Sequence, residues 1–203
     1  MRIRPLHLFV ISFMLVLGYQ LANCWGNHPR DNRPGIVAPN DPIQETLKGE
    51  QVFQFKSFRI HRLASFEITA RVLAKERYRF DREAKLAPYD LAMGWKRMSD
   101  LAVIESFSIS QNNRFYWWSA KHMPIPRPEI ISSSANMHII PANDIVRDML
   151  DNIHKYDVIH LKGYLVHCVD KDGWNWTSSL RRTDSGAGAC ELIWTESVEI
   201  LKY

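Results

Sequence analysis

The chain has 203 residues, and 26 lysines and arginines against 22 aspartates and glutamates give it a formal net charge of +4 at pH 7. This length indicates one domain, or one domain with an appendage. Hydrophobic residues make up 46% and aromatic residues 11% of the chain, which excludes an intrinsically disordered protein because such a composition can bury a core. Three cysteines exclude a disulfide-dense scaffold.

Residues 1–24 have the layout of an export signal. Arg2 and Arg4 precede an uninterrupted apolar run, and this order is typical of a signal peptide. The run is also near the lower length limit for a membrane anchor helix, and a third alternative makes Cys24 a lipidated residue. We therefore predict a cell-envelope protein, either anchored in the inner membrane and facing the periplasm, or periplasmic or secreted after signal cleavage.

Residues 25–47 are predicted to form an extended linker. They lack apolar periodicity, and their prolines alternate with glycine, asparagine and aspartate, a composition typical of solvated spacers. Residues 48–203 then show strand-like patterning without an internal repeat. We predict that residues 48–203 form a single β-rich exported domain.

The first half of this domain is predicted to consist mainly of strands. Apolar residues alternate with polar ones at Phe66, Ile68, Ala70 and Val72. Residues 81–103 are predicted to be irregular or helical, because Pro88 and Gly94 interrupt them. Asn112 and Asn113 lie between two strand-like segments and predict a tight β-hairpin, since asparagine tolerates positive φ.

A helix is predicted over residues 143–154, with Asn143 as its N-cap. Its apolar residues fall on one face at helical spacing: Ile145, Val146, Met149, Leu150 and Ile153. A strand follows at once, and Gly163 in its middle predicts a bulge or a sharp bend. A closing strand is predicted from Cys190 to about residue 200.

These elements predict an α+β fold that is mostly β, with one main helix and an N-terminal hydrophobic helix ahead of the domain. The strand after the main helix, with its central glycine, resembles the corresponding strand of OB-fold barrels. An extra hairpin near residues 174–180 departs from a minimal five-stranded version. The prediction is a small OB-like barrel, with another α+β barrel or a sandwich as the alternative.

Three stretches, 90–95, 134–141 and 178–194, together resemble the signature segments of a family of uncharacterised bacterial envelope proteins with an N-terminal hydrophobic segment. The resemblance covers roughly residues 65–200. It implies one continuous exported domain. It brings no established activity and no known catalytic residues.

A loop ahead of the last strand carries most of the candidate ligand-binding residues. Small residues let a backbone approach an anion closely, and arginines supply charge-assisted contacts to phosphate or carboxylate. The loop matches neither the P-loop nor the dinucleotide-binding pattern, and a plain connection between strands is the alternative. With one aromatic residue of the predicted hairpin, the candidates are Arg181, Arg182, Ser185, Gly186, Gly188 and Trp117.

His138 is the best candidate for proton transfer, because it lies near a predicted strand end beside several polar residues. Asp90 or Glu191 could orient it, and Ser134 with His138 and Asp90 could form a nucleophilic triad. No G-x-S-x-G elbow accompanies Ser134, and a histidine hydrogen-bonded in a core is the alternative. The histidines show no metal-ligand spacing, so no metal and no cofactor are predicted.

Cys168 and Cys190 remain as an even number once residues 1–24 are set aside. In an oxidising compartment such a pair favours a disulfide. Two reduced, buried cysteines are the alternative.

The incomplete catalytic set favours a binding or assembly module, with an unknown ligand, over an enzyme. The predicted partners are the membrane, through the N-terminal segment, and an envelope protein, a glycan or a lipid headgroup. Export argues against nucleic acid, although an OB-like barrel would suit one. The alternative function is a small exported hydrolase or transferase that acts on an anionic substrate through His138 and Arg181 or Arg182.

Overall fold

The computed structural model describes residues 33–181 and 189–202 of the chain. The predicted signal peptide or anchor helix over residues 1–24 lies outside these ranges. Within them, no helix combines the length and the apolar character that crossing a membrane requires.

The described residues form mainly strands, which confirms the mostly β character predicted from the sequence. The strands are β1 (Ile43–Phe55), β2 (Phe58–Arg77), β3 (Tyr89–Gly94), β4 (Ser108–Asn112), β5 (Phe115–Ser119), β6 (Ser134–Pro141), β7 (Val158–Asp170), β8 (Asn175–Thr177) and β9 (Glu191–Ile200). The helices are α1 (Arg82–Leu86), α2 (Leu101–Ile104), α3 (Arg127–Ser133) and α4 (Asp144–Asn152), with a 3-10 helix over Lys96–Ser99.

Five of these strands pair in a ring. β2 pairs with β3, β3 with β6, β6 with β9, β9 with β7, and β7 pairs back with β2. The β6–β9 pairing is parallel and the other four are antiparallel. β1 extends the sheet from β2, and β8 extends it from β7. The whole seven-stranded sheet therefore consists of a ring of five strands with β1 and β8 attached to it, and it is ring-like rather than a closed barrel.

Side chains from all five ring strands meet in one buried cluster. Each strand contributes, for example through Ile68, Leu91, Ile139, Leu161 and Ile193. On β2 the predicted two-residue alternation is confirmed, since every second side chain from position 64 to 72 is buried in this cluster. The cluster is the main hydrophobic core of the described chain.

Helix α4 packs against this core, as predicted. Asn143 caps its first turn, because its Oδ1 accepts a hydrogen bond from the backbone N–H of Val146 at 2.9 Å. Val146, Leu150 and Ile153 are buried in the core. The prediction was wrong for Ile145, which is 80% exposed because it lies in the first turn on the side facing away from the core.

A bulge lies beside Gly163, where the sequence predicted a bulge or a sharp bend in this strand, but the extra residue is Glu196 on the partner strand β9. The pairing of β7 with β9 changes register between Lys162 and Gly163. At this point the β9 backbone comes so close that a Cβ on residue 163 would lie 1.9 Å from the carbonyl oxygen of Trp194. The close approach of two backbones therefore requires glycine here.

Strand β3 lies in the segment 81–103, for which the sequence predicted irregular or helical structure. All six of its residues are buried. A strand that is covered on both faces shows no alternation of polar and apolar side chains. Periodicity therefore could not reveal it.

The N-terminal part of the described chain differs from the solvated linker predicted for residues 25–47. β1 begins at Ile43, ahead of the predicted domain start at residue 48. Ala38 is fully buried, and its carbonyl accepts a hydrogen bond from the N–H of Lys96 at 2.7 Å. Its own N–H donates to Ser99 Oγ at 3.1 Å. Backbone contacts of this kind attach the segment to the domain.

Candidate functional site

The polar residues of β3 and β6 share the face of the sheet that points away from the core. Leu91 of β3 and Ile139 of β6 belong to the core cluster, so the alternation of a strand turns Asp90 and His138 to the opposite face. Asp90 and His138 are direct cross-strand partners, and Asn136 lies two residues before His138 on the same face. Register alone thus brings three separate sequence positions together.

The carboxylate of Asp90 is the centre of this cluster and is fully buried. Its Oδ1 accepts a hydrogen bond from Arg114 Nη1 at 3.0 Å and lies 2.8 Å from His138 Nδ1. Its Oδ2 accepts one from Asn136 Nδ2 at 3.3 Å. Three partners compensate a buried charge that would otherwise be costly. Because an ionised carboxylate only accepts, Nδ1 of His138 carries the hydrogen.

Arg114 reaches Asp90 from the tip of the β4–β5 hairpin. Its φ is +69°, and that of Asn113 is +51°, so these two residues form the turn, one position later than the predicted Asn112–Asn113. Arg114 also donates to Asp81 Oδ1 at 2.8 Å and stacks on Tyr78, with 3.8 Å between Cζ and the ring centroid. A left-handed conformation is costly for a side-chain-bearing residue, and these contacts offset that cost.

A cavity of about 330 Å³ opens beside His138, and we call it the His138 cavity. His138 is 3% exposed, and its ring packs on Trp176 of β8 with the ring centroids 4.6 Å apart. The lining residues are Glu83, Arg114, Phe115, His138, Trp174, Asn175, Trp176, Thr177 and Cys190.

A second cavity of about 360 Å³ adjoins the first, and we call it the Trp117 cavity. Phe115 and Cys190 line both cavities. Trp117 is 61% exposed, and its ring lies 6.1 Å from that of Phe115. The remaining lining residues are Tyr116, Trp118, Arg127, Ile131, Ser134, Ala135, Asn136, Arg181, Ala189 and Glu191.

The suggested triad of Ser134, His138 and Asp90 does not form. Ser134 and His138 are four residues apart on one strand, and about 3.3 Å per residue separates them by roughly 13 Å. Ser134 Oγ instead donates to the carbonyl of Ile130 at 2.7 Å and lies 2.6 Å from Tyr116 Oη. Burial raises the pKa of Tyr116 to about 12, so the phenol keeps its proton. Ser134 therefore has a structural role.

The other sequence candidates either line the Trp117 cavity or lie outside the described residues. Arg181 is exposed and lines the Trp117 cavity, and buried Glu191 lines it as well. The remaining candidates, Arg182, Ser185, Gly186 and Gly188, lie outside the described residues. The structure thus brings His138 into contact with Asp90, and it gathers Trp117, Arg181 and Glu191 around the neighbouring cavity.

Cys168 and Cys190 form no disulfide, in contrast to the predicted bridge. Cys168 is fully buried on β7, where its partners in register are Ile60 and Trp176, so it does not lie opposite Cys190. Burial raises the pKa of the Cys168 thiol to about 12. Cys190 is half-buried and lines both cavities.

Sequence reasoning missed Arg114 and Trp176. A hairpin turn placed one residue later would have identified Arg114 as a turn residue, but no sequence signal links it to Asp90. In the described ranges, no group of three or more histidine, cysteine or acidic side chains is arranged to hold a metal ion.

Comparison with family models, curated proteins and solved structures finds no match to this chain. The resemblance to bacterial envelope proteins therefore stays an expectation from the sequence.

Proposed function

We propose that this chain is an exported binding or assembly module of the cell envelope with an OB-like domain. The order of the ring strands supports the OB-like assignment, as does α4, which connects β6 to β7. In OB folds the face of the second and third strands and the adjoining loops bind oligonucleotides and oligosaccharides. Counted from β2, the second and third strands of this ring are β3 and β6, which carry Asp90 and His138.

The ligand that suits the Trp117 cavity best is an envelope glycan. The observation that carries this proposal is an indole, 61% exposed, at the edge of a cavity that also offers Arg127, Asn136 and Glu191. An aromatic surface packs against the apolar face of a sugar ring, while a few polar groups bind its hydroxyls. A cavity of about 360 Å³ falls within the size range of small-molecule sites.

The export segment supports an envelope location, since residues 1–24 would either carry the domain across the membrane or tether it there. A tethered module would then present the Trp117 cavity to glycans outside the membrane. The test is the affinity of the protein for an N-acetylglucosamine tetrasaccharide, compared between Trp117→Ala and Phe80→Ala. Phe80 is a suitable control because it is 96% exposed and lines neither of the two cavities.

A second candidate function is an exported hydrolase or transferase. It is favoured by the contact between His138 Nδ1 and Asp90 Oδ1 at 2.8 Å beside a cavity, because a carboxylate that orients an imidazole is a recurring feature of general-base catalysis. Arg181 at the adjoining cavity would hold an anionic group of the substrate.

The second candidate is tested with p-nitrophenyl acetate, a simple ester probe. We expect the wild-type protein to release p-nitrophenolate faster than buffer does, and His138→Ala to lose at least tenfold of this rate. Thr69→Ala is the control, since its hydroxyl contacts His160 at a site outside both cavities. Equal rates for wild type and His138→Ala would exclude His138 as a catalytic residue for this probe.

A further inference from the structure

We infer that Cys190 is a nucleophilic thiol that His138 and Asp90 activate for acyl transfer from an ester or an amide. The inference rests on the second candidate function and deepens it, because it names the nucleophile and the substrate class. It involves the half-buried cysteine that lines both cavities and none of residues 182–188.

The sheet register brings Cys190 close to His138. Cys190 immediately precedes β9, and Leu192 of β9 is the partner of His138 in the parallel pairing with β6. Glu191, the residue after Cys190, is the partner of Met137, so Cys190 lies beside the part of β6 that carries His138. Both side chains line the His138 cavity.

His138 is oriented as a base. Its Nδ1 is held by Asp90, so Nε2 is the nitrogen that lacks a hydrogen in the neutral ring. His138 is only 3% exposed, and its ring lines the His138 cavity. Among the described residues, no side chain or backbone group forms a hydrogen bond with Nε2. Trp176 covers one side of the ring. A buried acceptor thus stays available at the cavity that Cys190 also lines.

Cys168 is a second thiol in the same protein, and its environment makes it unreactive. It is fully buried, and desolvation raises its pKa to about 12. A thiolate is the reactive form of cysteine, so such a thiol is inert at neutral pH. The chain therefore contains a matched internal control for Cys190.

The proposed reaction has two steps. Nε2 of His138 takes the proton from Sγ of Cys190, and the thiolate attacks the carbonyl carbon of the substrate. A C–S bond forms, the C–O or C–N bond to the leaving group breaks, and the departing alcohol or amine takes the proton from His138. Water, deprotonated by the same imidazole, then cleaves the thioester, which releases a carboxylic acid and restores the thiol.

The test measures alkylation of the full-length protein by iodoacetamide between pH 5 and pH 9, followed by peptide mass spectrometry. We expect Cys190 at pH 6.5 to react at least tenfold faster in the folded protein than in the urea-unfolded protein, since an ordinary thiol with a pKa of about 8.5 is mostly protonated there. Cys168 is expected to react only after unfolding. This comparison needs no variant and is independent of any folding defect.

His138→Gln supplies the second arm, since it should lower the rate of Cys190 alkylation at pH 6.5 at least tenfold and leave Cys168 unchanged. Folded and unfolded rates that coincide for Cys190, or a Cys168–Cys190 disulfide in the native protein, would overturn the inference. If ester hydrolysis depends on His138 but persists in Cys190→Ala, the nucleophile is wrong and the second candidate function stands. If hydrolysis is also independent of His138, both fail.

Discussion

Asp90 connects groups that are far apart in the sequence. It binds Arg114 from the hairpin turn and both His138 and Asn136 from β6. Sequence reasoning identified Asp90 and His138 by residue type, and it could not foresee Arg114, because the contact depends on a turn that folds the hairpin back over β3. For single residues, the sequence indicates which side chains have suitable chemistry, and the β3–β6 register determines which of them come into contact.

The two carboxylate partners of Arg114 provide a stability prediction. Asp90→Ala should lower the free energy of unfolding by about 3–5 kcal/mol, because it leaves Arg114 without its buried counter-charge. Asp81→Ala removes a partner whose side chain is 41% exposed, and with the lost N-cap of α1 it should cost only about 1 kcal/mol. Urea denaturation measures both, and equal losses would contradict the burial argument.

Elements were predicted where one face is buried and the other is exposed. The alternation along β2 and the helical spacing of α4 follow from such one-sided burial, and both were found in the sequence. Strand β3 was missed because it is covered on both faces. The sequence predicted an irregularity at Gly163, and the register does change there, but the bulged strand is β9. The sequence also could not show that the backbone of Trp194 is the neighbour that requires glycine.

The close contact at Gly163 gives a prediction about how stably β7 pairs with β9. Gly163→Ala should destabilise the protein by about 2–3 kcal/mol, because the added Cβ overlaps the Trp194 carbonyl and β7 and β9 have to separate. Gly173→Ala is the matched control. Residue 173 has a φ of +88° with open space around it, so alanine there should cost only about 1 kcal/mol of backbone strain. Thermal unfolding measures both variants, and a larger loss of stability in Gly173→Ala than in Gly163→Ala would contradict the packing argument.

At the scale of the whole molecule, the ring depends on contacts between distant segments. The parallel β6–β9 pairing joins residues 137–141 to residues 191–195, and no local pattern specifies it. The sequence did predict a mostly β domain with one main helix, and it offered Trp117 as a candidate ligand-binding residue. Why Trp117 stands at the edge of a cavity follows only from the fold, because α3, β6 and the start of β9 supply the other walls.

The central claim is that the Trp117 cavity binds an envelope glycan, and calorimetric titration with an N-acetylglucosamine tetrasaccharide tests it most directly. Wild type and Phe80→Ala should bind with equal affinity, whereas Trp117→Ala should bind at least tenfold more weakly, a loss of about 1.4 kcal/mol, because it removes the aromatic surface on which the sugar ring packs. The account would be contradicted if the wild-type protein did not bind the tetrasaccharide, or if Trp117→Ala bound it as tightly as Phe80→Ala.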